Sequence, residues 1–414
     1  MSTNQISLDN INIIGPDHYR KNGYPHAEWA YLRKHKPVFW CEDPTIDPFW
    51  AITKHADIVH ISKQPRLFAS GRQLAVIVAE PGGAFEPPPA YHLLNMNPPE
   101  HGEYRAVVSR RFTPRTVRDL QAEIERIAGE VLDGMVGRED ADFVTDVSSK
   151  IPLAVIAELL GAPRQDWEQL FRWTNETIGS GDPEFQQGAT QKETFDRALM
   201  GLFAYFSNMA DERMRHPTGD ITSIVSNSQV HGCPMGRPEM LSYFFLLVVA
   251  GNETTRNATA GGLLAFIEHP DQWAKLKSNP SLLKPAIDEI VRWTSPVIHF
   301  LRTATADTEI RGQKIRAGER VCLFYPSGNR DEEVFEEPFK FDISRDPNPH
   351  IAFGIGEHYC LGANLARLEL EVIFRQLLAR LDRVELTGEV ERLRSHFVGG
   401  IKHMPVRMKV RPAA

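Results

Sequence analysis

Phe353-Gly-Ile-Gly-Glu-His-Tyr-Cys-Leu-Gly362 is the stretch on which the reading of this chain turns. Gly354, Gly356 and Gly362 permit tight backbone geometry and let something flat or bulky come close to the main chain. Backbone N–H groups of such a loop can point at the Cys360 sulfur. A helix expected from Ala363 to Arg380, with Leu365, Leu368, Val372 and Ile373 on one face, would set its positive dipole end beside the same atom. Both effects favour thiolate over thiol. One thiolate on a glycine-rich loop, with no second soft ligand nearby, suits a single axial bond to a haem iron. It suits tetrahedral zinc poorly. The competing reading is an inert buried cysteine in a glycine turn.

Upstream, Pro238 and Pro270 bracket an unbroken stretch from Glu239 to His269, which as one helix would reach about 46 Å. Its centre, Leu241-Ser-Tyr-Phe-Phe-Leu-Leu-Val-Val-Ala250, is apolar on every side and predicts passage through the interior. Ala250-Gly-Asn-Glu-Thr-Thr255 then interrupts it with polar groups, each costly to bury without a partner. Gly251 weakens the helix there, and a threonine hydroxyl bonded back to a carbonyl can open it. The resulting groove could hold a small diatomic molecule. Neighbours on a helix point about 100° apart, so Glu253 cannot share the groove face with Thr254.

His101 and Arg105 lie one helical turn apart on a common face. Glu289 and Arg292 also share a face and can pair. The same spacing recurs at Glu123/Arg126, Glu212/Arg215, Glu253/Arg256, Glu389/Arg392 and Glu391/Arg394, where ordinary surface pairs are expected. Pro37 to Trp40, Phe49 to Thr53 and Leu74 to Ala79 read as strands, as do Phe300 to Ala304, Thr308 to Ile310 and Val321 to Tyr325. Glu80 to Pro89, with four prolines and two glycines, reads as a loop, and Phe335 to His350 as irregular chain. Sheet-forming segments thus come from about 1–100 and 297–414, and helices from about 100–296 and 363–380. No clean linker divides them, so one domain over 1–414 is expected.

The cysteine loop resembles that of the cytochrome P-450 superfamily, the haem-thiolate monooxygenases. The pattern Phe-x-x-Gly-x-(Arg or His)-x-Cys-x-Gly is met by Phe353, Gly356, His358, Cys360 and Gly362. The resemblance implies a mainly α fold with small β-sheets, triangular in outline, with the long buried helix passing over a haem b. Cys360 would be the axial iron ligand, with Phe353 and Gly354 in the haem-binding loop. His101, Arg105, Arg302 and His358 would meet the haem propionates, which need cationic or hydrogen-bonding partners. Glu289/Arg292 would lock structurally to Asn329-Arg330 and to Phe339–Arg345, and His350 would support the loop. Ala250-Gly-Asn-Glu-Thr-Thr255 matches the family's oxygen-binding element. By that likeness Thr254 orders dioxygen and a water chain, and Glu253 helps relay protons through rotation or water.

The activity so implied is hydroxylation by monooxygenation, with electrons from a ferredoxin and its NAD(P)H-dependent reductase. Arg110, Arg111, Arg115 and Arg367 could attract an acidic ferredoxin to the face nearest Cys360. Leu246, Val249, Ala250, Ile298 and Val398 occupy expected pocket positions. All are apolar, which fits a terpenoid, a steroid or a long alkyl chain. Asn348-Pro-His350 and Phe397 to Lys402 look like bacterial members that oxidise steroid side chains or terpenes. The rival readings are a peroxide-driven haem-thiolate enzyme, a non-enzymatic haem sensor and a cysteine hydrolase.

Composition agrees with an ordinary globular enzyme. The chain has 414 residues, 42% hydrophobic and 24% charged, enough to enclose a core and a pocket. A net charge of −7 argues against a nucleic-acid binder that works through a basic surface. Residues 1–20 show no signal-peptide pattern, and the longest apolar run, Phe244 to Gly251, falls far short of the ~20 residues of a membrane span. The four cysteines lack CxxC spacing, so mostly buried thiols in a reducing cytoplasm are expected.

Overall fold

Helices α1 (Glu100–Ser109), α2 (Lys150–Leu159), α5 (Arg237–Glu268), α6 (Leu283–Thr294) and α7 (Ala363–Arg380) line the cavity of the cysteine loop, and α3 (Trp167–Ile178) and α4 (Gln191–Arg215) pack on α5. They are seen in a computed structural model that describes residues 6–71, 73–80, 83–84 and 92–413. Helix α5 is the expected long one, begun two residues early because Pro238 sits in its first turn, where a missing N–H costs nothing. It packs against α2, α3, α4, α6 and α7. Tyr243, Phe244, Val248 and Leu263 are buried along it, each large apolar side chain contributing about 1.5–3 kcal/mol. Two glycines set its close contacts. A Cβ on Gly251 would stand 3.0 Å from Ile156 of α2, and one on Gly262 would stand 2.8 Å from both Ile290 of α6 and Phe374 of α7.

Helix α7 has the bounds read from the sequence. Helix α6 stops at Ser295, whose left-handed φ of 37° turns the chain out of the helix. A strand then follows into a five-stranded sheet. In chain order its members are β1 (Val38–Cys41), β2 (Phe49–Ile52), β3 (Phe68–Ala69), β4 (His299–Ala304) and β5 (Arg320–Phe324). Their spatial order is β1-β2-β5-β4-β3, with β2 parallel to β5 and the remaining pairs antiparallel. The two ends of the chain therefore meet in one sheet. Leu381–Leu386, Pro405–Val410 and Asp140–Asp142 form a second sheet, so a strand also comes from the helical middle of the chain.

Leu74 to Ala79 is not the strand expected from its apolar run. On the edge of β4 away from β5, β3 covers only the Thr303–Ala304 end. Leu74 adds one bond there, its carbonyl accepting from the Leu301 N–H at 2.8 Å, but the Val76 N–H goes to the His299 side chain at 3.1 Å. What else forms is a single bridge from Val78 to Ile46 and a two-residue pairing of Ala79–Glu80 with Gly83–Ala84. The loop read over Glu80 to Pro89 otherwise lies outside the described residues. No described helix is long and apolar enough to cross a membrane.

Alternation along β4 decides what faces the cysteine loop. Ile298 and Leu301 enter a core with Trp29 and Phe324, and the His299 ring centroid lies 5.5 Å from that of Phe324. Phe300 and Arg302 point the other way, into the cavity above Cys360. A strand's side chains alternate between faces, so one sheet supplies both a core and a site wall.

Candidate haem site

Cys360 sits between a short 3-10 turn, Gly356–His358, and the start of α7. Its N–H donates to the Phe353 carbonyl at 2.8 Å, closing the loop. Gly354 and Gly356 have φ of 72° and 75°, and a Cβ on Gly356 would stand 2.5 Å from the Ser62 carbonyl oxygen. Only glycine fits that position. The Ile351 N–H donates to Asn329 Oδ1 at 2.8 Å, and the Arg367 guanidinium lies 4.5 Å above the Phe353 ring. His350 Nε2 meets Asp288 Oδ1 at 3.2 Å, fixing the loop to α6 in the supporting role expected.

Burial raises the Cys360 pKa and outweighs the pull of the Gly362 N–H and of Arg105 and Arg367. The Gly362 N–H, Arg105 and Arg367 each favour the thiolate, and a bound metal ion, the largest local charge in such a site, deprotonates a coordinating thiol.

The four presumed propionate partners line one cavity with Cys360. Arg105 donates to the Tyr359 carbonyl at 2.8 Å. His358 Nε2 lies 3.1 Å from Ser70 Oγ, and its ring centroid is 4.3 Å from that of His101. Burial, with Arg302, His101 and Arg105 beside it, lowers His358 to a pKa of about 3. His101 is buried and neither ring nitrogen makes a hydrogen bond, although Glu357 Oε1 stands 3.4 Å from Nδ1. Burial and then Arg105 hold its pKa low. Arg302 is also buried, and the bond described for it is to its neighbour's carbonyl, Leu301 O, at 2.7 Å. Burial depresses even its pKa.

A buried guanidinium without a carboxylate and a buried imidazole whose Nε2 is idle are costly by themselves. An acidic, planar group above Cys360 removes both costs, so these residues fit a haem. Arg302→Leu should therefore stabilise the haem-free protein by about 1–3 kcal/mol while weakening haem retention. Denaturant titration of the haem-free variant and transfer of haem to apomyoglobin measure the two opposite signs.

Above the cysteine, α5 contributes Leu246, Ala250, Gly251 and Thr254 to the cavity wall. Thr254 Oγ1 donates back to the Ala250 carbonyl at 2.9 Å, as the sequence suggested. Glu253 faces away, completely buried, and ion-pairs with Arg256, which donates to Asn175 Oδ1 at 2.7 Å. This Glu253/Arg256 pair was expected at the surface; it is buried because its helix crosses the interior. Burial pushes the Glu253 carboxyl up, against the opposing pull of Arg256.

Three expected pocket residues are not on the wall. Val249 falls between the lining positions Leu246 and Ala250, Ile298 belongs to the Trp29 core, and Val398 pairs its backbone with Val297, which does line the cavity. The residues missed were Leu93, Leu94, Val297 and Phe300, and, on α7, Glu369. Glu369 is buried with Oε2 unpartnered, and burial alone drives its pKa well up. An acidic residue beside the apolar stripe of α7 was the available signal.

The Glu289/Arg292 pair is fully buried at 2.7 Å. Arg292 also donates to the carbonyls of Asn329 at 2.8 Å and Pro338 at 3.0 Å, and Glu289 accepts from the Asp342 N–H at 3.0 Å and from Asn348 Nδ2 at 3.1 Å. This is the expected lock onto the segment that leads to the cysteine loop. Arg367 is not a free docking charge, because it pairs with Asp288 at 2.8 Å. Arg110, Arg111 and Arg115 are exposed.

A cysteine on a tight glycine loop, under a long buried helix that presents Thr254 and in one cavity with His101, Arg105, Arg302 and His358, defines a haem-thiolate protein. The family model described as Cytochrome P450 matches residues 193–400. The chain is 38% identical over 411 residues to the steroid C26-monooxygenase of Rhodococcus jostii, covering 97% of this chain and 85% of that protein. It is 35% identical over 405 residues to the linalool 8-monooxygenase of Pseudomonas putida, covering 96% and 99%. A Mycobacterium marinum cytochrome P450 solved with pseudoionone superposes with a TM-score of 0.89 at 33% identity, covering 98% and 100%. The chain belongs to the cytochrome P450 family. It is a haem-binding monooxygenase.

Proposed function

We propose that the protein hydroxylates a terpenoid, steroid or long alkyl substrate, with electrons from a ferredoxin and its NAD(P)H-dependent reductase. The observation that carries the substrate class is the wall above Cys360, where Leu93, Leu94, Leu246, Leu247, Val297 and Phe300 present hydrocarbon. Such a surface binds apolar area and offers few polar anchors. The named activities of the steroid- and linalool-oxidising relatives support the same class.

The haem supplies oxygen activation when bound; the chain positions and tunes. Cys360 would hold the haem iron through its sulfur, and His101, Arg105, Arg302 and His358 would hold the propionates. Thr254 Oγ1 holds a hydrogen bond in the groove of α5, and Glu253 passes a proton towards it after leaving Arg256. Replacing the hydroxyl in Thr254→Ala should lower product formed per NAD(P)H consumed several-fold, short of the about 100-fold or more that a direct proton-transfer group contributes. Haem content should be unchanged. Product yield against cofactor oxidation gives the readout.

Electron supply is assigned to the face formed by Arg110, Arg111 and Arg115. The segment carrying them is tied to α7 beside the cysteine, where Asn364 Nδ2 donates to the Phe112 carbonyl at 3.1 Å. The deciding experiment titrates the purified protein with terpenes, steroids and fatty acids while following the iron spin state. Hits are then turned over with ferredoxin, reductase and isotopically labelled dioxygen. A labelled alcohol, with slower reduction after charge reversal at Arg111 and Arg115, supports the reading. Turnover with peroxide and none with ferredoxin would overturn the electron route.

A further inference from the structure

On the other side of α5 lies a second cavity, of about 310 Å³. The helix gives it Asn257, Gly261, Leu264 and Glu268, a stripe at helical spacing, while Thr254 and Ala258 serve the haem cavity. Tyr24, Trp293 and Phe339 supply aromatic surface, and Arg330 and Arg392 supply two guanidinium groups.

Its wall holds polar atoms that the protein leaves unused. Asn257 Nδ2 and Oδ1, Arg330 Nε and His26 Nδ1 are buried without a hydrogen-bond partner. Arg330 lies 4.3 Å above the Trp293 ring and gives its other nitrogens to the carbonyls of Arg292 and Trp293, each at 3.0 Å. Arg392 is half-buried, with the Val390 carbonyl at 3.5 Å as its described acceptor. Among the described residues neither guanidinium has an ion-pair partner. The one acidic residue of the lining, Glu268, is exposed at the rim.

Two unpaired cations call for an anionic acceptor, and the idle amide of Asn257 can both give and receive a hydrogen bond. Three rings favour a flat body, through stacking and cation–π contact. The volume is at the small end for organic ligands. We propose that this cavity is a second binding site, separate from the haem cavity, for a one- or two-ring aromatic carboxylate. Helix α5 is a wall of both cavities, and Val398, next to Gly399 and Gly400 of the second, is bridged to Val297 of the first. A ligand in one site that shifts this shared wall changes affinity at the other, by the same factor in both directions.

The test titrates the haem-loaded protein with a fluorinated naphthoate, followed by fluorine NMR, with the iron saturated by an azole inhibitor. Saturable binding that leaves the Soret band unchanged is expected. It should weaken about tenfold in Arg392→Ala and in Phe339→Ala, whose melting temperatures should match the parent because both side chains reach solvent; Phe339 is 48% exposed. Three results would each overturn the site: no saturable binding at millimolar probe, a probe affinity that keeps falling in proportion to azole concentration as in direct competition rather than levelling off, or binding unchanged in both variants. None of them bears on the substrate or electron donor proposed above.

Discussion

Arg292→Leu is expected to destabilise the protein by about 3–5 kcal/mol, the range for breaking a buried ion pair from one side. Glu289 would be left buried, without the guanidinium it now pairs with at 2.7 Å. The Asn329 and Pro338 carbonyls would lose their donor as well. These bonds join α6 to the chain that leads to the cysteine loop, so the loss should appear both as a lower denaturant midpoint and as less haem per protein. Glu123/Arg126 gives the control. Its side chains are 37% and 39% exposed, and Arg126→Leu should change stability by no more than about 1 kcal/mol. Equal losses in the two variants would show that burial of Arg292 has no special energetic role.

Cys360→Ala should abolish hydroxylation while sparing much of the haem binding. The axial sulfur's electron donation is what favours O–O cleavage in proteins of this type, and no other described cysteine lines the cavity. Cys41 and Cys322 are buried in the sheet core and Cys233 is exposed elsewhere. His101, Arg105, Arg302 and His358 are untouched by the substitution, so the proposed propionate partners remain. Haem content and product formation, measured on one preparation, should therefore separate. Retained turnover in the alanine variant would remove Cys360 from the chemistry.

What was legible in the sequence followed how local the constraint was. The cysteine loop could be read because three glycines, a cysteine and a helix start fall within ten residues. Helix α7 emerged with correct ends for the same reason. The Glu289/Arg292 lock was readable only through the family likeness, since the same spacing at Glu253/Arg256 was taken for a surface pair and proved buried. Composition shows that a helix is long and apolar; it does not show which polar residues on it face a neighbour rather than water. Ile298 is expected from sequence in the pocket where Val297 belongs, a one-residue slip that exchanges the cavity wall for the Trp29 core. The second cavity left no sequence signal, because Tyr24, Asn257, Arg330 and Arg392 come together only in the folded chain.

The central claim is that the Cys360 sulfur binds the haem iron as a thiolate. Its most direct measurement is the absorption spectrum of the reduced protein under carbon monoxide, in fresh and undenatured material. A Soret band at the red-shifted position from which the family takes its name is predicted, and it should be lost in Cys360→Ala. A band at the shorter wavelength of a histidine-ligated globin in the parent protein would contradict the account.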